Sequence, residues 1–423
     1  MSARSVERVL AFEALDSRGT PTVACVISLA DGAEGCAIVP SGASTGRHEA
    51  HERRDGDGRY GGRGVRAAVA AVNGEIAACL HGLDAADQPA VDAALIALDG
   101  TPALGRLGSN AVLAASAGCA LAAAASARVP LWEALAPAAP PLLPRPMVNV
   151  LSGGAHAGRA VDVQDVLVIP LAATTFRQAI EDAARVRAGA AAELRERGHA
   201  TALVADEGGL AAPLESNEEA LEIASRGLER SGVDGALALD VAATQLVEGS
   251  GYRLALEDRF LDGAGLAREI AGWAQRFPLV SIEDPLGEDD WDAWKLAGEL
   301  VPAGVQLLGD DLFATSCERI ARGVAAGVAN AVLVKPNQAG TLTGARQALE
   351  LAQREGYATV LSARSGESED AWLADLAVGW RSGQFKVGST QRSERTAKWN
   401  RLLRIEAERP GAELAPWHAA RPR

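Results

Sequence analysis

The chain has 423 residues, with 41 Lys+Arg against 55 Asp+Glu and a formal net charge of −14. Apolar residues make up 48% and charged residues 23%, which excludes a disordered chain. The acidic surplus disfavours nucleic acid or an anionic membrane as partner, since either needs a basic footprint. Five scattered cysteines with no CxxC pair argue against a disulfide framework or a thiolate metal site and fit a reduced, cytoplasmic setting. The charged N-terminus lacks the apolar region of a signal peptide.

In chain order, Val23–Leu29 and Gly35–Val39 read as strands joined by an Asp31-Gly32 hairpin turn. Gly64–Leu80 and Gln88–Leu98 read as helices. Leu107–Ala127 carries no charge and is long enough to span a membrane, but its Ala, Ser and Gly content predicts a buried helix instead. Ala136–Pro146 holds five prolines in eleven residues, which excludes a helix or central strand and marks a domain boundary. The domains expected are 1–135, an N-terminal α+β unit, and 136–423.

Beyond the boundary, short apolar strands alternate with amphipathic helices. Strands are expected at 161–169, 202–204, 236–240, 279–283, 306–310, 331–335 and 359–362. The helices between and after them are expected at 175–197, 217–231, 264–276, 291–300, 316–326, 342–355 and 369–381. Repeated strand–helix units over this length predict an α/β fold with a closed barrel. The tail from Arg409 is expected to be loosely ordered.

Four of these strands end in an ionisable residue: Asp240, Glu283, Asp310 and Lys335. Barrel enzymes carry their chemistry at the C-terminal ends of their strands. On adjacent strands the three carboxylates would converge as hard oxygen ligands suited to Mg²⁺, whose charge offsets their repulsion. Lys335 then reads either as the partner of a structural ion pair or as a base. Beside a metal and Lys386, its ammonium form is disfavoured.

Glu283, Asp310 and Lys335 fall within three of eight further segments: Leu15-Asp-Ser-Arg-Gly19, Pro40-Ser-Gly-Ala-Ser-Thr-Gly46, Ala205-Asp-Glu-Gly-Gly209, Ser281-Ile-Glu-Asp284, Gly309-Asp-Asp-Leu312, Leu333-Val-Lys-Pro-Asn-Gln338, Arg364-Ser-Gly-Glu367 and Arg392-Ser-Glu-Arg395. Eight segments in this order resemble the enolase family, from about Leu15 to Glu406. The resemblance implies a small α+β domain followed by a TIM-like α/β barrel that begins ββαα. It implies two Mg²⁺, one of high affinity on Asp240, Glu283 and Asp310, and one linked to the substrate through Ser41 in a mobile loop. Lys335 would remove the α-proton of 2-phosphoglycerate, and Glu207, with Asp165 as its neighbour, would protonate the departing hydroxide. Lys386 would hold the carboxylate, Arg364 and Ser365 the phosphate, and His156 and Gln164 would border the substrate. A homodimer or homo-octamer is implied too.

Four positions depart from the family pattern: Ala363 for a histidine, Ala155 for a glutamate, Asp165 for a glutamate, and Pro336 after Lys335. Three of them fall on the leaving-group and phosphate side. They raise the alternative of a specialised paralogue handling a phosphonylated substrate, such as carboxyphosphonoenolpyruvate synthase. A scaffolding protein without catalysis is a third reading, which the retained carboxylates and lysines disfavour. His48, His51, His81, His199 and His418 have no ligand spacing and read as surface residues.

Overall fold

The computed structural model describes residues 2–43, 45–136 and 140–417. Strands β1 (Val6–Leu15), β2 (Pro21–Leu29) and β3 (Glu34–Ile38) form an antiparallel sheet in that order, with the turn at Asp31-Gly32 as expected. The helix expected over 64–80 is α1 (Arg66–Ala71) and α2 (Ala77–Leu80), joined by a π turn at Val72–Ile76. That turn carries Asn73, whose side chain accepts from the Ala11 amide at 2.7 Å and donates to its carbonyl at 2.9 Å. The edge of β1 is thus capped at its middle, where an unpaired strand would invite another chain.

Helix α3 (Gln88–Asp99) is followed by α4 (Ser109–Ala127) and the short α5 (Leu131–Leu135). The alanine content of α4 has a packing reason. Fourteen of its nineteen residues are buried, and it lies directly on the sheet: a Cβ at Gly35 would meet the Ala122 nitrogen at 2.2 Å. The uncharged stretch that passes the length test for a membrane span is therefore core, as the sequence predicts.

The remaining elements are β4 (Leu142–Leu143), β5 (Arg145–Ser152), β6 (Asp165–Ile169), α6 (Phe176–Glu196), α7 (Asn217–Ser231), β7 (Ala236–Asp240), a small sheet of β8 (Val247–Glu248), β9 (Gly251–Leu254) and β10 (Arg259–Leu261), then α8 (Gly263–Arg276), β11 (Leu279–Glu283), α9 (Trp291–Leu300), β12 (Gln306–Gly309), α10 (Cys317–Ala326), β13 (Ala331–Val334), α11 (Pro336–Ala339), α12 (Leu342–Arg354), β14 (Ala358–Ser362), α13 (Trp372–Gly379), β15 (Gln384–Gly388), α14 (Ser393–Glu408) and β16 (Glu413–Leu414). Eight strands close into a barrel, β11-β12-β13-β14-β15-β5-β6-β7. Strand β6 runs antiparallel to both neighbours and the other barrel pairs are parallel, giving the ββαα opening.

Several expectations need correction. The Pro-rich segment does hold a barrel strand: β5 begins at Arg145, and Pro146 pairs with Phe385. Arg145 N–H donates to Gly383 at 2.8 Å. By strand alternation the Pro146 nitrogen faces β6, whose ladder with β5 begins only at Val148, so the missing donor costs nothing. The boundary proposed within this segment touches residues 137–139, outside the described residues. Positions 202–204 contribute only the isolated bridge Val204–Leu210. The helix expected over 369–381 is the shorter α13. The tail is pinned as far as residue 417: β16 pairs with β4, and buried Arg145 donates to the Ala415 carbonyl at 2.9 Å. His418 and the residues after it lie outside the described residues. All five cysteines are free.

Candidate active site

The barrel register places the candidate residues at one end. Asp240 and Glu283 close β7 and β11 and face each other in register. Asp310 and Lys335 follow β12 and β13 by one residue. Lys386 lies at the centre of β15. Asp165 is the first residue of β6 and pairs with Asp240: a reversed strand puts its first residue where its neighbours put their last. Glu207 comes from the loop between α6 and α7. That loop docks on the end of β15, where the Ser389 amide donates to the Glu207 carbonyl at 2.8 Å. His156 comes from a single 3₁₀ turn after β5.

One cavity is lined by His156, Gln164, Glu207, Asp310, Lys335, Arg364, Ser365 and Lys386, together with Gly42, Ala43, Asp311, Ser362 and Ala363. Asp165, Asp240 and Glu283 lie beneath that surface, at most 2% exposed. Ser41 is the predicted residue that the fold does not deliver. Its hydroxyl donates to Glu52 at 3.0 Å and accepts from Arg54 at 2.9 Å, while its backbone pairs with Gly366. Gly42 and Ala43 reach the cavity instead, and the Ala43 amide donates to Ser365 Oγ at 2.6 Å.

The acidic floor is held by the two lysines. Lys386 Nζ donates to Asp240 Oδ2 and Glu283 Oε2, both at 2.6 Å, and Lys335 Nζ donates to Asp310 Oδ2. Gln164 donates to Asp240 at 3.0 Å and Gln338 to Asp310 at 2.9 Å. Burial works against the Lys386 ammonium, but Asp240 and Glu283 outweigh it and raise its pKa well above the usual range. Lys335 is raised as well: burial, Arg364 and Lys386 oppose its charge, and Asp310 prevails with help from Glu283. The disfavoured ammonium expected from the sequence belongs to a site that holds a metal ion beside Lys335. Lys335 forms its ion pair with Asp310 here, and both residues line the cavity.

The donor set suits a hard divalent cation on two observations. Glu283 Oε1 is buried without a hydrogen-bond partner. Burial and the Asp240 charge push the Glu283 carboxyl well above the usual carboxylate range, against the pull of Lys386, so the site lacks positive charge for its acids. Among the described residues, Asp240, Glu283 and Asp310 do not form a set with mutual ligand-atom distances within 4.8 Å. The acidic set whose oxygens lie within 4.8 Å of one another is Asp284, Asp310 and Asp311. Sequence reasoning missed Asp284. Held at a φ of +38°, it accepts the Asp310 amide at 2.9 Å and the Asp311 amide at 2.7 Å, which fixes the turn after β12. Its only sequence signal is the Glu283-Asp284 doublet.

A second cluster joins Asp165, His156 and Glu207. His156 Nδ1 lies 3.1 Å from Asp165 Oδ2, and Nε2 lies 3.9 Å from Glu207 Oε1. Asn149 and Ser152 donate to Asp165 Oδ1 at 2.5 and 2.8 Å. Burial disfavours the imidazolium, but the charges of Asp165 and Glu207 together raise the His156 pKa above its ordinary value. Arg395 approaches Glu207 at 3.8 Å. Arg364 is buried and forks onto Glu49, also missed in the sequence, through bonds of 2.8 and 3.3 Å. Ala363 lines the cavity with no polar side-chain atom. Pro336 opens α11 as its first residue, where its fixed φ fits and no donor is needed.

An eight-stranded barrel with acids, bases and a buried arginine at one end, beside an N-terminal sheet-and-helix unit, is the plan of an α/β-barrel enzyme. The family models for the enolase N-terminal domain and for the enolase C-terminal TIM barrel domain match residues 6–135 and 140–419. An enolase from Sulfurimonas denitrificans is 47% identical over 407 residues, which cover 95% of this chain and 96% of the relative. The chain belongs to the enolase family and is a lyase of that family.

Proposed function

We propose that the protein interconverts 2-phosphoglycerate and phosphoenolpyruvate, with Mg²⁺ as its cofactor. The observation that carries this reading is the convergence of Lys335, Lys386, Glu207 and Arg364 on one cavity above buried Asp240 and Glu283. The identity to a relative named enolase supports it. The phosphonate alternative finds no support in the family models or in that relative.

In this reading Lys335 takes the proton α to the carboxylate. Asp310 holds the Lys335 ammonium, and a divalent cation on Asp310 would supply positive charge that lowers the proton affinity of Lys335. Loss of the α-proton leaves two negative charges on one carboxylate. Divalent cations on Asp240, Glu283 and Asp310 would supply electrostatic stabilisation of that charge. Lys386 adds a fixed ammonium. Glu207 protonates the departing hydroxide, a leaving group too poor to go unassisted. His156 sits next to Glu207 and, with Ala363 where relatives of the family place a histidine, is the one imidazole lining the cavity among the described residues. Arg364 binds the phosphate through its planar guanidinium and Ser365 through its hydroxyl. Gln164 orients the carboxylate Asp240, and Asp165 orients His156. Ser41 acts as a backbone anchor for the loop rather than as a ligand.

The same reading divides the chain into a capping domain of residues 1–135 and a catalytic barrel of residues 136–423, active in the cytoplasm as a homodimer or homo-octamer. A coupled assay of purified protein with 2-phosphoglycerate tests it. Phosphoenolpyruvate should form in the presence of Mg²⁺ and not after chelation. Tight Mg²⁺-dependent binding of a phosphoenolpyruvate analogue without turnover would overturn it in favour of an altered substrate.

A further inference from the structure

Glu49 lies in the segment between β3 and α1 and is 5% exposed. Oε2 accepts Arg364 Nη1 at 2.8 Å and Oε1 accepts Nη2 at 3.3 Å, a two-point fork. The same Oε1 accepts the Gly46 amide at 2.8 Å and Gln338 Nε2 at 3.4 Å. Gln338 in turn donates to Asp310, and Asn337 Oδ1 takes a further bond from Arg364 Nη1 at 3.0 Å. One carboxylate therefore joins a turn of the N-terminal segment, the cavity arginine and the amide that holds an acid of the floor.

A buried arginine needs a counter-charge, and a carboxylate on any neighbouring element would serve. This one comes from the segment whose Gly42 and Ala43 line the cavity, and it accepts that segment's own Gly46 amide. Gly46 is packed closely against two carboxylates: a Cβ there would meet Asp311 Oδ1 at 3.1 Å and Glu288 Oε2 at 3.3 Å. The Arg47 amide beside it donates to Glu288 at 3.0 Å. The seating of the Gly46–Glu49 turn and the direction of the Arg364 fork are fixed by the same oxygen atoms.

We propose that Glu49 is a positioning residue that couples the docked Gly46–Glu49 turn to the orientation of Arg364 toward the substrate phosphate. The substrate side of this inference rests on the reading of Arg364 given above; the coupling itself does not. Glu49→Gln keeps the shape and removes the charge, and Glu49→Ala removes both. In the full-length protein without ligand, amide exchange of residues 46–50 should speed up by about tenfold in each variant. Binding of inorganic phosphate should weaken, and KM for 2-phosphoglycerate should rise, by about tenfold or more, with kcat falling less. Should the alanine variant fail to fold, the isosteric glutamine variant decides.

Unchanged exchange in Glu49→Gln overturns the coupling. Faster exchange with unchanged phosphate binding and unchanged KM also overturns it, because Glu49 would then be only a structural counter-ion. A wild-type protein that does not turn over 2-phosphoglycerate contradicts the proposed function, and the exchange and phosphate arms still decide the coupling.

Discussion

Asp165 is one methylene shorter than the family's glutamate, and its hydrogen bonds go to His156, Asn149 and Ser152. The carboxylate meets an imidazole, His156, whose Nε2 lies 3.9 Å from Glu207 Oε1. Burial opposes charge on His156, whereas Asp165, Glu207 and Asp240 favour it, and the balance raises its pKa above 6.5. A group raised on folding stabilises the protein fully below its unfolded pKa, and that gain is lost as the pH rises through the folded value. Asp165→Asn should thus bring the His156 midpoint down, as read from its imidazole resonances. The stability difference between wild type and variant in denaturant should be largest below about pH 6.5 and should shrink as the pH rises. An unmoved midpoint would mean that Asp165 does not set the state of His156.

At this scale the sequence was readable wherever chemistry leaves a residue-type signature, as with the acids at the ends of β7 and β11. Partners chosen by tertiary proximity were not readable. Nothing local in the sequence says that Glu49 meets Arg364, 315 positions away. The partners of Ser41 were hidden for a related reason: a serine in a Gly-rich loop signals a hydroxyl, but not that it bonds Glu52 and Arg54.

Helices α6 and α7 show how an element can depend on the absence of a side chain. A Cβ at Gly227 would meet the Ala190 nitrogen at 2.6 Å, and one at Gly189 would meet the Gly227 carbonyl oxygen at 2.4 Å. The two helices cross backbone to backbone, and this close pair precedes the strand that carries Asp240. Gly227→Ala should destabilise the protein by about 1–3 kcal/mol through overpacking, with KM unchanged because the crossing lies outside the cavity. Denaturant unfolding beside steady-state kinetics checks both; an undiminished stability would show that the helices separate freely. Most barrel elements were legible to within one or two residues because a strand buried on both faces is a short apolar run and each outer helix is amphipathic. Strand β5 escaped notice because proline weighs against a central strand, and only the late start of the β5–β6 ladder makes Pro146 harmless. Strand β6 came out four residues too long because Val161 and Val163 are buried in a loop.

The whole molecule follows from an N-terminal unit folded on α4 and a barrel whose first return strand is reversed. Repeated strand–helix units announced the barrel. The reversal of β6 was known only by resemblance, since antiparallel and parallel buried strands share the same apolar pattern. It brings Asp165 to the same end as Asp240, and it places the Asp165–His156–Glu207 cluster beside the lysine-held floor. The central claim is that this end of the barrel takes the α-proton from a carboxylate substrate through Lys335, with a divalent cation held by the buried acids. The most direct measurement is exchange of the C2 proton of 2-phosphoglycerate with deuterium oxide, followed by NMR in a Glu207→Gln variant that cannot complete the elimination. The account predicts Mg²⁺-dependent exchange in Glu207→Gln and none once Lys335→Ala is added. Exchange that survives the loss of Lys335, or that proceeds without a divalent cation, would contradict it.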